Sequence, residues 1–239
     1  MSQAYRILSQ FKFRWKAQSK YAVHAPFAFD FYTKVICAKQ KLPLKLNTIE
    51  SLRKTTLREH AKAIRKQIPS CRDAFLLYRI VEYIQPTHIL EIGTSEGIAP
   101  MFMMYAQKEA RLINSEEKWQ LAKIAHQNQM ASLFLDYCIA WKNEIITPEE
   151  AKQNLPLGVV YFSNMFFGED LSQLFVDCLP FVDENSVFIF SRIHTSNLME
   201  NTWNEIIRNE NISLSLDIFH FGIVFFKKNI AKQHFNLKY

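Results

Sequence analysis

Ten residues, HILEIGTSEG from His88 to Gly97, carry the densest chemistry in this chain. An apolar run ends in an acid, Glu91, and two glycines follow with three residues between them. Gly93 and Gly97 let the backbone turn sharply and approach a ligand with no Cβ in the way. A helix opening at Gly97 aims its free N–H groups at the same place, and Pro100 is tolerated in its first turn. This combination suits a nucleotide-like ligand held where a strand stops and a helix starts. The chain has only 5 glycines in 239 residues, which makes a pair four apart stand out.

Such a bend needs a sheet behind it. From residue 87 onward, short apolar runs alternate with helix-like stretches. The expected strands are His88–Ile92, Ala110–Asn114, Leu133–Ile139, Gly158–Phe162, Ser186–Phe190, Ser213–Ile218 and Gly222–Phe226. Helix-like segments separate the first five, as crossover units of a parallel sheet require. Only a short turn around His220 joins the last two, so they form an antiparallel pair. The expected fold is α/β: a Rossmann-like, seven-stranded, mostly parallel sheet with a C-terminal antiparallel hairpin.

Residues 1–86 read as helical, an N-terminal lid or extension to the α/β domain of 87–239. Ile7, Leu8, Phe11 and Trp15 recur at helical spacing. Pro26 sits at the first turn of a second helix. Residues 47–67 form a basic amphipathic segment. Ser70 is a plausible cap for a helix holding Phe75, Leu76, Ile80 and Tyr83, which Pro86 ends.

Composition places the chain among soluble globular proteins: 49% hydrophobic, 22% charged, 14% aromatic. No apolar run reaches the ~18–20 residues that span a bilayer. Charges interleave with apolar residues at the N-terminus, unlike a signal peptide, and no membrane partner is expected. Cys37, Cys71, Cys138 and Cys178 lie far apart, without zinc spacing. They read as structural thiols of a cytoplasmic protein. The net charge of +6 is concentrated before residue 80. Solvated helix faces are the ordinary reading of such runs, with a nucleic-acid surface second.

EIGTSEG resembles the first motif of class I S-adenosylmethionine (SAM) dependent methyltransferases, and the terminal hairpin is that fold's distinguishing topology. The chain is similar, more closely, to a bacterial branch of O-methyltransferase-like proteins. These have a Tyr-x-x-His-x-Pro-Phe segment, here Tyr21, His24, Pro26 and Phe27, and end segments seen here as IFHFGIVFFKK and AKQHF. The resemblance implies that Glu91, Gly93 and Gly97 line the SAM site, with Thr94 and Ser95 beside the methionine part. It also implies a second acid at the end of the next strand, accepting from the ribose hydroxyls. Glu116 fits, and Glu117 is next. If the strand ends earlier, Asn114 is presented instead. Helix-start acids complementing the dipole are the plainer reading of the pair.

The resemblance fails at two strand ends. Ser163 stands where the family has an Asp, and Ser191-Arg192 where relatives commonly have two. In metal-dependent O-methyltransferases those acids hold a divalent cation. Serines are poor ligands for magnesium, and Arg192 adds a positive charge, so no metal is expected. A metal-free transferase still needs SAM, a positioned acceptor and, where the acceptor must lose a proton, a base. His194, at the fifth strand's end, is the better candidate base, and His24 the other. Each also reads as a structural histidine, as does His220. Arg192 could pair an anionic acceptor or a neighbouring acid.

Three readings follow. One is a metal-free SAM-dependent methyltransferase of weak catalytic power, its acceptor a small molecule or unknown. The second is a pseudoenzyme that binds SAM or a protein, with Met165, Phe166 and Phe167 forming an apolar patch or plugging the pocket. The third is a basic nucleic-acid-binding module. A homodimer through the aromatic hairpin is a plausible assembly.

Overall fold

The computed structural model describes residues 3–19, 23–41, 43–60, 65, 68–93, 97–115, 156–163 and 168–239, and the structural statements below concern these. Four helices precede the sheet: α1 (Gln3–Lys16), α2 (Pro26–Phe31, continued by a wider turn to Ile36), α3 (Asn47–Glu59) and α4 (Cys71–Ile84). Pro26 opens α2. Ser70 caps α4, its hydroxyl accepting from the Asp73 amide, and Gln85 ends it in a left-handed conformation.

Seven strands follow among the described residues: β1 (His88–Ile92), β2 (Arg111–Ser115), β3 (Val159–Phe162), β4 (Val187–Ser191), β5 (Leu214–Asp217), β6 (Phe221–Phe225) and β7 (Gln233–Asn236). Helices α5 (Ile98–Ala106), α6 (Gly168–Cys178) and α7 (Asn197–Ile206) lie between them. The sheet runs β2-β1-β3-β4-β6-β5-β7. β2, β1, β3 and β4 are parallel, and β6 enters antiparallel between β4 and β5. This is the expected α/β sheet with its C-terminal hairpin. Its seventh strand differs from expectation: β7 pairs parallel with β5 along the far edge. The expected strand Leu133–Ile139 lies outside the described residues, as do Tyr21 and Cys138. Cys37, Cys71 and Cys178 are free thiols.

β3, β4, β5 and β6 are buried along their length, which explains continuous apolar runs where a one-sided sheet would alternate. Side chains still divide by the period of two. Val159, Tyr161, Val187 and Ile189 pack against α2, α4 and α5. Val160, Phe162, Phe188 and Phe190 pack against α6 and α7. The first of these clusters draws on both sides of residue 86, so the N-terminal helices and the sheet share a core. The hairpin's Phe221, Phe225 and Phe226 are buried within the chain. β6 is interior to the sheet, and β7 pairs with the far side of β5.

The helical spacing in α1 identifies a helix but not its buried face. Ser9, Phe13 and Ala17 turn inward, and Ile7, Leu8, Phe11 and Trp15 face outward. The helix carries two apolar stripes, and the shorter one meets the protein.

Candidate active site

The carboxyl ends of β1, β3 and β4 form one edge, and the chemistry gathers there. Glu91 is fully buried and lies in register with Asn114 of β2 and Tyr161 of β3. Gly93 and Gly97 adopt φ of 78° and 80°, the left-handed region in which a Cβ is penalised. Gly97 is also the N-cap of α5, and Pro100 falls in the first turn. The bend thus takes the form its glycines imply. Thr94, Ser95, Glu116 and Glu117 lie outside the described residues; β2 continues through Ser115, with Asn114 opposite Glu91.

At the ends of β3 and β4 on this edge is a cavity of about 360 Å³. Its lining comes from the strand ends (Tyr161, Ser191 and Arg192), from the start of α4 (Ser70 and Asp73), from Phe219, His220 and Phe221 between and on the last strands, and from Arg6 of α1 with Arg53 and Leu57 of α3. Two non-glycine residues of its wall, Arg192 and Phe219, hold φ of 56° and 70°. Such backbone costs about 1–3 kcal/mol each and persists only where the surroundings over-determine it. Here the Arg192 amide donates to the His220 carbonyl at 2.8 Å, and the Phe219 amide to Asp217 Oδ1 at 2.9 Å.

Two histidines at this edge are built differently. His220 donates from Nδ1 to the Asp73 carboxylate, 3.0 and 3.1 Å from its two oxygens. A carboxylate only accepts, so Nδ1 carries the proton in this contact. Burial works to raise the Asp73 carboxyl, but the His220 contact, with Ser70 and Arg72, holds it below its ordinary value.

His194 has acids on both sides. Nδ1 stands 3.0 Å from Glu200 Oε1 and Nε2 2.8 Å from Asp217 Oδ2. Its ring stacks on Phe219 at 5.1 Å, tilted only 9°. Burial disfavours its charge, yet Asp217 and Glu200 outweigh that and raise its pKa. An imidazolium with both N–H groups donated has no lone pair for a substrate proton. The geometry therefore favours the structural reading of His194 over the basic one.

His24 is exposed ahead of α2. Phe27 of that helix packs edge-on to Phe225, which pairs with Val187 at the start of β4. That is the opposite end of the sheet from Ser191, so the structure does not bring His24 to the cavity.

Ser163 and Ser191 are buried at the ends of β3 and β4. Ser163 Oγ has no hydrogen-bond partner among the described residues. The Tyr161 phenol is pushed up by burial and by Glu91, while the Ser191 hydroxyl works the other way. No three His, Cys, Asp or Glu groups gather as cation ligands among the described residues. Hydroxyls beside a guanidinium do not fit a carboxylate-bound divalent ion. Met165, Phe166 and Phe167 lie outside the described residues.

Asp73, Tyr161, Arg6 and Arg53 were not among the residues singled out from sequence for this edge. The signal for Asp73 was present as Ser70-x-x-Asp73, in which the serine hydroxyl accepts from the Asp73 amide and donates to its carboxylate at 2.8 Å.

No protein-family model and no curated protein matches the chain. Solved structures do. The chain is similar to the methyltransferase PaMTH1 of Podospora anserina, solved bound to S-adenosylhomocysteine (SAH), with a TM-score of 0.63 and 10% identity over 86% of this chain and 97% of that one. It is similar to the O-methyltransferase TomG of Streptomyces achromogenes in complex with SAM (TM-score 0.55, 13% identity, 84% and 96% covered). An O-methyltransferase of Bacillus cereus in complex with SAH gives 0.55, 15%, 82% and 96%. At such identities the likeness is one of fold: the chain has the Rossmann-like fold of SAM-dependent methyltransferases.

Proposed function

We propose that this chain binds SAM at the bend after β1 and transfers its methyl group to a small-molecule acceptor in the neighbouring cavity, without a metal ion. One observation carries the reading. Tyr161, which lines the cavity, is the register partner of Glu91, so the two sites share a wall. Group transfer needs donor and acceptor held together in this way.

Glu91, Gly93 and Gly97 suit the adenosyl group, with Thr94, Ser95 and Glu116 completing the site. SAM, when bound, supplies a methyl group on a sulfonium sulfur. The chain's own part is to position an acceptor and take its proton. His220 Nε2 accepts that proton, and Asp73 fixes the tautomer and balances the charge that forms. His194, held between Glu200 and Asp217, is a positioning residue that locks the turn at Phe219 against α7.

Calorimetry with SAH tests the reading. Micromolar binding, abolished in Gly93→Val, is expected; a flat isotherm up to millimolar SAH overturns it. Binding without turnover on any acceptor would favour the non-catalytic alternative, which rests on the serines and Arg192 at the strand ends.

A further inference from the structure

We propose that α1 docks the protein on an anionic lipid surface through the face it turns away from the core. The inner face of α1 is already engaged. Tyr5 donates to Asn197 Oδ1 at 2.9 Å, Ser9 donates to Glu200, and Phe13 packs on the rings of His194 and Phe219 at 5.5 and 5.4 Å. The outer face carries Ile7, Leu8, Phe11 and Trp15, which are 48%, 61%, 67% and 93% exposed. At about 100° per residue these four span an arc of roughly 100°, opposite Ser9 and Phe13. Large apolar side chains contiguous on a surface mark an interaction site.

Charge selects the occupant. Arg14 borders the apolar arc on one side and Lys12 on the other, with Arg6 and Lys16 beyond them, and α1 contains no acid. An apolar stripe of Trp, Phe and Leu flanked by bases is the pattern of a helix lying in a lipid interface. The basic stems can lie along the surface while their heads reach lipid phosphates. A second copy fits poorly, because a two-fold contact through this arc would bring Lys12 and Arg14 of each α1 towards those of its mate. No helix among the described residues is long and apolar enough to cross a membrane, so the contact is with the surface. The proposal does not depend on any chemistry in the cavity.

The test is co-sedimentation of the full chain with vesicles of phosphatidylcholine alone or mixed with phosphatidylglycerol. Binding to the mixed vesicles, at least about tenfold tighter than to phosphatidylcholine alone, is expected. The double variant Phe11→Ser/Trp15→Ser should lose that binding with its melting temperature unchanged, since both side chains are exposed. Lys12→Glu/Lys16→Glu should lose it too. Absence of wild-type binding to the mixed vesicles overturns the proposal. So does undiminished binding by the Phe11/Trp15 variant, which would assign the effect to the overall charge of +6. A wild-type dimer in ultracentrifugation that this variant makes monomeric, with no vesicle binding, would assign the face to a second copy and overturn it equally.

Discussion

Asp73 and His220 are 147 residues apart in the chain, and their side chains meet at 3.0 Å in the lining of the cavity. The first turn of α4 supplies the carboxylate, and the turn between β5 and β6 supplies the imidazole. In the proposed reaction this leaves His220 Nε2 as the nitrogen that takes the acceptor's proton.

Replacing His220 with Ala should therefore cut turnover about a hundredfold or more and leave SAH affinity unchanged. Asp73→Asn should cost less, because the ring keeps its lone pair. The double variant should be no worse than His220→Ala, since the two act as one unit. Rates on a methylated acceptor, with calorimetry on each variant, check this. Additive losses would show that the residues act separately.

What the sequence makes legible here is set by range. Strands β3 and β4 are apolar runs because both faces are covered, and such runs read directly. β7 does not: Gln233–Asn236 is a short, polar edge strand with no periodicity of its own, held by pairing with β5. The helical spacing in α1 reads as a helix, but not which face is buried, because its strongest apolar stripe is the one the protein leaves exposed. The glycine bend is local chemistry and is visible in ten residues. The Asp73–His220 contact depends on where two turns meet after folding, and no spacing encodes it.

His194 predicts a dependence of stability on pH. Its folded pKa is raised above the usual 6.5 by Asp217 and Glu200, against burial. Its contribution is therefore complete below about pH 6.5 and is lost as pH rises through the raised value. Glu200 has the opposite sign: held low by Ser9 and His194 against burial, it contributes above its ordinary 4.5 and is lost as pH falls through its depressed value. Melting curves from acid to alkaline pH should show wild-type stability falling on the alkaline side of 6.5. His194→Gln should lack that fall and be less stable at pH 6 by on the order of 3 kcal/mol, with Asp217 left buried and unpaired. Parallel curves for the two proteins would contradict the ion triad.

Gly222 predicts a steric conflict. A Cβ there would lie 2.5–2.8 Å from three atoms of the Trp203 ring, which is buried between β6 and α7. Gly222→Ala should cost about 1–3 kcal/mol as the indole is forced to shift, and tryptophan fluorescence should report the movement. Trp203→Leu removes the obstructing ring, so the double variant should be more stable than the sum of the single losses implies.

Chelation is expected to leave methyl transfer intact. Ser163 and Ser191 offer neutral hydroxyls at the positions where a divalent ion would need carboxylates, and the Arg192 side chain adjoins them. A divalent ion would repel that guanidinium while gaining little from the hydroxyls. If His220 takes the acceptor's proton, a metal is not needed to acidify the acceptor. Turnover measured before and after prolonged dialysis against EDTA should agree within about twofold, since a lost metal would forfeit several kcal/mol of charge stabilisation and a far larger factor in rate. Restoring Asp at both serine positions should create magnesium affinity only when Arg192 is also replaced by a neutral residue. Magnesium-dependent turnover in the unaltered chain would mean that carboxylates from elsewhere reach this edge, and His220 would no longer be required as the proton acceptor.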